Sequence, residues 1–308
     1  MKLRVAMLKV TAVMAVSVLV LTGCGTSGGN EKLKASSGSD PVKYENLLVD
    51  SAMIKGAYAN PLDPILFPDQ VTTDVITSAF NSKLAQCMKD RGFPEFIGEA
   101  GKYVRSRPVD AKYVYGIVDP QAAAIYGTKS QMWIETVTRP GEHDPVLPSD
   151  YFHALFGQND KVEVKNSDGI VIGTYDPDSC EGVAKDAYLP HWAEEEYLVD
   201  LAWGILRDIP SDSSIEKEAN LRWSECMKVE GFNFSSQNDF DFPNLLPTPE
   251  EIKVGVAAAN CMQSTGALRD ISKYDALETY KRLEKYPGIV TRFNEIDKET
   301  LDTVKSAQ

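Results

Sequence analysis

Few residues in this chain are of a type and spacing that could carry chemistry. Histidine occurs only at His143, His153 and His191. None lies in a His-Glu-x-x-His pattern. His191 and Glu195 stand one helical turn apart, as metal ligands can, but no third ligand is marked beside them. Ser214-Ile-Glu-Lys217 has the Ser-x-x-Lys spacing of penicillin-interacting enzymes, yet the chain contains neither Lys-Thr-Gly nor Ser-Asp-Asn to complete that set. Asp176-Pro-Asp178-Ser-Cys-Glu181-Gly182 is acidic without the spacing of an EF-hand loop, and its proline reads as a turn before a helix. With 45 acidic side chains, a search for a glycosidase-like pair of carboxylates succeeds by chance. The sequence therefore assigns no catalytic residue, no metal ligand and no cofactor.

The five cysteines are more informative. The first residues carry Lys2, Arg4 and Lys9 and no acid, and from Val10 to Leu21 every residue is apolar or small. That run is too short for a bilayer core, which needs about 20 residues, and it suits the apolar region of a signal peptide. It ends in Leu21-Thr22-Gly23-Cys24, which resembles the bacterial lipobox. Small residues there let a peptidase reach the backbone, and the Cys24 thiol is the acceptor for a diacylglycerol. Two or three acyl chains hold a protein on a membrane stably, whereas one does so marginally. Residues 25–41 are Gly/Ser-rich and polar, the composition of a flexible tether. Two motifs in this stretch are rejected: Gly23-Cys-Gly25-Thr-Ser-Gly28 fits a dinucleotide fingerprint and Gly25-Thr-Ser27-Gly-Gly29 a nucleophile elbow. Both need a strand before them and a helix after them.

Removing residues 1–23 takes three basic side chains away and moves the net charge from −13 to −16. Nucleic acid and anionic headgroups both require a basic surface, so neither is an expected partner. The remaining cysteines, Cys87, Cys180, Cys226 and Cys261, would lie in an oxidising compartment, and an even set there reads as two disulfides. Structural zinc sites use closely spaced pairs, and these four are dozens of residues apart.

Elements that would position these cysteines can be read from an internal echo. Cys87-Met-Lys-Asp-Arg-Gly92-Phe93 returns as Cys226-Met-Lys-Val-Glu-Gly231-Phe232. Ile76, Phe80, Leu84 and Cys87 align with Ile215, Ala219, Trp223 and Cys226, each set at the spacing of one helix face. Gly followed by Phe then predicts a Schellman stop, with the phenylalanine folded back toward Met88 or Met227. Thr248-Pro249-Glu250-Glu251 predicts a capping box opening a helix through Cys261. Helices 213–230 and 249–264 would form a hairpin clipped by Cys226–Cys261, leaving Cys180 for Cys87; the crossed pairings stay open on sequence alone. Between the two units, 94–160 is rich in loops, and Asn166-Ser-Asp-Gly169 joins two short apolar runs as a β-hairpin. A helix over 191–209 and two more over 268–286 and 288–305 follow, the last with a thin stripe of Ile289, Phe293, Ile296 and Val304 expected to pack on the body.

The expected fold is thus mainly α, with one small β-hairpin and long ordered loops. Its organisation reads as a signal peptide over 1–23, a lipidated cysteine and tether over 24–42, a first helical unit with a loop-rich insertion over 43–210, and a second helical unit over 211–308. The two units are disulfide-stapled and related by the weak repeat.

Several short motifs occur in a suggestive order: the lipobox, the Cys-Met-Lys-x-x-Gly-Phe turn, Tyr115-Gly116-Ile117, Gly157 ahead of a single Cys180, Trp223-Ser-Glu-Cys226-Met, and the helix from Glu251 to Ala259-Asn260-Cys261. Together the chain resembles cell-surface lipoproteins of high-GC Gram-positive bacteria over most of its mature length. The resemblance implies paired cysteines and a setting beside membrane export or efflux systems, and it implies no activity. The functional expectation is a non-enzymatic binding or accessory protein on the outer face of the cell membrane, partnered by an envelope protein or cell-wall polymer. An envelope hydrolase working through carboxylates is the alternative. Tyr113, Tyr115, Tyr126 and Trp133 mark the expected contact surface, since aromatics with polar tips favour interfaces; filling the core is their other role.

Overall fold

The repeated Cys-Met-x-x-x-Gly-Phe segments close two helices in the same way. In the computed structural model, which describes residues 42–93, 115–130, 134, 138, 147–158, 161–211 and 213–307, helix α3 (Gln70–Asp90) ends with Gly92 at φ 92° and α8 (Ser214–Val229) with Gly231 at φ 91°. The Phe93 amide donates to the Met88 carbonyl at 2.9 Å and the Phe232 amide to that of Met227 at 2.8 Å, the six-to-one bond of a Schellman motif. Both methionines are fully buried. Signal peptide, Cys24 and tether lie outside the described residues, as do Tyr113, Trp133 and His143.

Among the described residues the other helices are α1 (Val42–Glu45), α2 (Asp63–Leu66), α4 (Pro120–Tyr126), α5 (Ser149–Phe156), α6 (Cys180–Tyr188), α7 (Trp192–Arg207), α9 (Pro249–Ser264), α10 (Ala267–Leu283) and α11 (Ile289–Ser306). Strands β1 (Val162–Lys165) and β2 (Val171–Tyr175) pair antiparallel, with Val162 opposite Tyr175 and Val164 opposite Gly173. Their turn is held by the Asn166 side chain, which accepts from the amides of Asp168 and Ile170, and by Gly169 at φ 77°. The molecule is therefore mainly helical with one small hairpin, as expected.

Both disulfides join a Schellman-capped helix to a neighbour: Cys87–Cys180 ties α3 to α6, and Cys226–Cys261 ties α8 to α9. Among the described residues three apolar cores lie around them. Trp223, Met227, Val254, Ala258 and Met262 form one between α8 and α9, where the Trp223 indole donates to the Ala258 carbonyl at 3.1 Å. Ile76, Phe80, Leu84, Tyr151, Leu155 and Ala184 form the second under α3, α5 and α6. Ile65, Leu66, Ala202, Ile205, Phe293 and Ile296 form the third, between α2, α7 and α11. The stripe on α11 is buried along its whole length, and Val304 extends it into the second core. Arg292 also holds α11 to α7 by a two-pronged bond to Glu194, at 2.8 and 2.7 Å. Elements from 43–210 and from 211–308 thus pack into one compact body.

Three local expectations need correction. Ile215, aligned with the buried Ile76, is 39% exposed, because it stands in the first turn of α8 at the edge of the groove toward α10. Thr248 does cap α9, accepting from the Glu251 amide at 3.2 Å. Glu251, however, does not complete the box: its side chain is fully buried and turned toward α4, where it takes a hydrogen bond from the Thr128 hydroxyl and pairs with Lys129 at 3.3 Å. Close approach makes this possible, since a Cβ at Gly255 would stand 2.5 Å from the Gly127 carbonyl oxygen. Tyr115, expected at a contact surface, is 9% exposed and belongs to the first core, because its ring fills space against the apolar residues of α4 and α9.

Candidate binding site

A cavity of about 240 Å³ opens where α7 ends, α8 begins and α10 passes beneath them. Trp203 and Leu206 from α7 and Ile209 and Pro210 from the following turn give it an apolar wall. Glu216 from α8 and Asp275 from α10 face that wall, and Asn60 closes one side. The turn after α7 is fixed in place: the Ile209 amide donates to the Leu206 carbonyl, and Arg282 of α10 donates to the Asp208 carbonyl at 2.7 Å. At the start of α8 the Ser213 hydroxyl accepts from the Glu216 amide at 3.1 Å, which places Glu216 in the first turn of the helix.

Asn60 is itself held from three directions. Its amide N–H donates to Asp63, its side-chain oxygen accepts from the Leu62 amide, and its side-chain nitrogen donates to the buried Thr279 hydroxyl of α10 at 3.0 Å. Thr279 lies one helical turn beyond Asp275, so the same bond fixes the height of α10 against the cavity.

The electrostatics of this place are unusual. Among the described residues no hydrogen bond or ion pair reaches the Asp275 carboxylate, and its charged neighbours Glu216 and Glu278 are acids like itself. Burial, reinforced by those two charges, pushes its acid up to about 7. Asp63 is raised by burial to about 6, against the opposing effect of the Asn60 amide. The Tyr115 phenol is raised far above its ordinary range by burial and then by the charges of Asp275 and Asp63. Glu278 contrasts with them: burial raises its acid, but hydrogen bonds from Lys281 and Arg282 hold it below the ordinary value. Lys281 and Arg282 are thereby engaged with Glu278. Arg207, at the rim, is exposed. Chemically, the lining combines two carboxylates with apolar side chains and an indole.

Of the residues singled out by sequence, Tyr115 lies near this cluster, and Ser214 and Lys217 flank Glu216 in the first turn of α8; Tyr126 is half-buried at the end of α4. His191 caps no amide of α7, and its Nε2 reaches Glu299 of α11 at 2.7 Å. His153 contacts Gln158 at the surface. Among the described residues no group of three His, Cys, Asp or Glu side chains could hold a metal ion, and no helix is long and apolar enough to cross a membrane. Asp275 and Trp203 carried no motif, and Glu216 fell only inside the incomplete Ser214-Ile-Glu-Lys217 pattern. The one available signal was a run of small polar residues, Ser272 and Thr279, on the face of α10 that otherwise buries Leu268 and Ala276.

In comparisons with known proteins, no family model, no curated protein and no solved structure matches this chain.

Proposed function

We propose that this chain is an extracytoplasmic lipoprotein, anchored through acyl chains on Cys24 to the outer face of the cell membrane, that acts by binding rather than by catalysis as an accessory of the cell envelope. The carrying observation is the way the cysteines divide. Cys87, Cys180, Cys226 and Cys261 are all consumed in two disulfides, a bonding state that belongs to oxidising compartments. The cysteine left over is the one that follows a basic start, an apolar run and Leu-Thr-Gly. A body that is cross-linked twice and offers a preformed cavity suits a receptor or accessory role.

Mass spectrometry of the N-terminal peptide from isolated membranes tests the anchor. Cys24 should be the first residue and should carry a diacylglycerol thioether. The Cys24→Ala variant should lose both the cleavage and the lipid. Recovery of the wild-type chain with an unmodified Cys24 thiol would refute the proposal.

A further inference from the structure

We infer that the cavity between Trp203, Glu216 and Asp275 is a receptor site for a small organic cation, a protonated or quaternary amine carrying only a few carbon atoms. The inference rests on the reading that this protein works by binding, and it names the class of ligand.

Size comes first. At about 240 Å³ the cavity is smaller than the roughly 300–1,000 Å³ of pockets for drug-sized ligands, so it suits a short molecule. Charge comes second. The lining carries the carboxylates of Glu216 and Asp275 and, at the exposed rim, the guanidinium of Arg207. A carboxylate half-buried beside other acids is costly to ionise. Asp275 is in that position: among the described residues nothing donates to it, and Lys281 and Arg282 are spent on Glu278. A single positive charge delivered by a ligand would remove the cost.

The walls then distinguish an organic cation from an inorganic one. Trp203, Leu206, Ile209 and Pro210 offer apolar surface and an indole, which favour a weakly hydrated ammonium with carbon attached. A hard metal ion requires several oxygen ligands, and no set of three acidic, histidine or cysteine side chains is assembled among the described residues. The walls are also held before any ligand arrives, by the bonds from Asn60 to Thr279 and from Arg282 to Asp208. Little ordering is therefore left for binding to supply.

Protons compete for the same place. The titratable and charged groups around Asp275 are Glu216 from α8, Tyr274 and Glu278 from its own helix, Tyr115, which Asp63 also influences, and Arg207 from α7. A cation needs the ionised form of Asp275, so affinity should rise with pH and level off above about 7.

The test is calorimetric titration of the disulfide-intact protein with butylammonium and with tetramethylammonium at pH 8 and pH 6, using 1-butanol as the uncharged control. At pH 8 at least one of the two cations should bind, more tightly than at pH 6, and 1-butanol should not distinguish wild type from Asp275→Asn. Asp275→Asn should weaken the cation by at least about tenfold. Should that variant fail to form both disulfides, Glu216→Gln gives the same reading. Absence of binding by either cation at about 10 mM, or an affinity unchanged in the folded variants, would overturn the inference. Neither result alters the mass of the Cys24 peptide, so failure of the ligand assignment and failure of the anchor remain distinguishable.

Discussion

Replacing Asp275 by Asn should make this protein more stable at neutral and alkaline pH, and the gain should vanish in acid. Asn has nearly the same shape, so the change removes the charge and leaves the packing of α10 against Asn60 and Trp203 in place. Burial together with the charges of Glu216 and Glu278 raises the Asp275 acid from 3.8 to about 7. A shift of that size corresponds to about 4 kcal/mol, and water at the cavity mouth lowers the expected effect to about 2–4 kcal/mol. The direction follows from which state holds the proton. The folded protein binds it more tightly than the unfolded chain, so the stabilisation is complete below pH 3.8 and is lost as pH rises through about 7. Wild type should therefore weaken relative to the variant across that interval, with the difference constant above it. Urea denaturation of both proteins at pH 4, 5, 6, 7 and 8 measures this directly. A gain of 3 kcal/mol at pH 8 would raise the melting temperature by about 6–12 °C. A difference between the two proteins that does not change with pH, or a variant that is the less stable at pH 8, would refute the electrostatic account of the cavity.

Two further predictions concern the frame around the site. Gly255→Ala should destabilise by about 1–3 kcal/mol, because the new methyl would meet the Gly127 carbonyl oxygen at 2.5 Å and push α4 away from Glu251. Gly231→Ala has open space around its Cβ and φ 91°, so it should lose only the backbone cost of about 1–2 kcal/mol; urea melts of the two variants separate crowding from backbone conformation. Removing the Cys226–Cys261 bridge by paired serine substitution should cost about 4 kcal/mol, and removing Cys87–Cys180, which closes 93 residues rather than 35, about 4.5 kcal/mol on the chain-entropy account. Thermal denaturation ranks the two, and a smaller loss for the longer loop would count against that account.

Features set by neighbours in sequence were legible before the structure. The Gly-Phe stops after Met88 and Met227, the Asn166–Gly169 turn and the Thr248 cap each need only a few adjacent residues, and local chemistry decides them. The disulfides were the expected pairing, because a helix-hairpin between 213 and 264 brings Cys226 beside Cys261, although crossed pairings stayed open until the structure joined Cys87 to Cys180. The candidate site was not legible. Asp275 sits in Ala267–Leu283, a helix of mixed polarity in which an acid ordinarily faces water. Here it lines a cavity with Asn60, more than two hundred residues earlier, and with the turn after Arg207. Glu251 failed to complete its capping box for a related reason. The Thr-x-x-Glu spacing describes the first turn of one helix, and the partner that drew the side chain away, Thr128, comes from another segment 123 residues distant. Tyr115 was visible as an amphipathic side chain, but which end of such a residue is covered depends on tertiary packing.

The placement of α11 has a kinetic consequence. Ile289, Phe293 and Ile296 complete the core begun by Leu62, Ile65 and Leu66, and the buried bond from Asn60 to Thr279 spans 219 residues of chain. Contacts this remote form only after a large loop has closed, and folding slows as such contacts accumulate. As the chain emerges with its N-terminus leading, Leu62, Ile65 and Leu66 stay uncovered until the residues near 296 have followed. By contrast, the α8–α9 hairpin needs nothing beyond residue 264 for its own bridge. Assembly should therefore begin in the later half of the sequence and finish at the earlier one, with the short segment before α3 the last to become protected from hydrogen exchange.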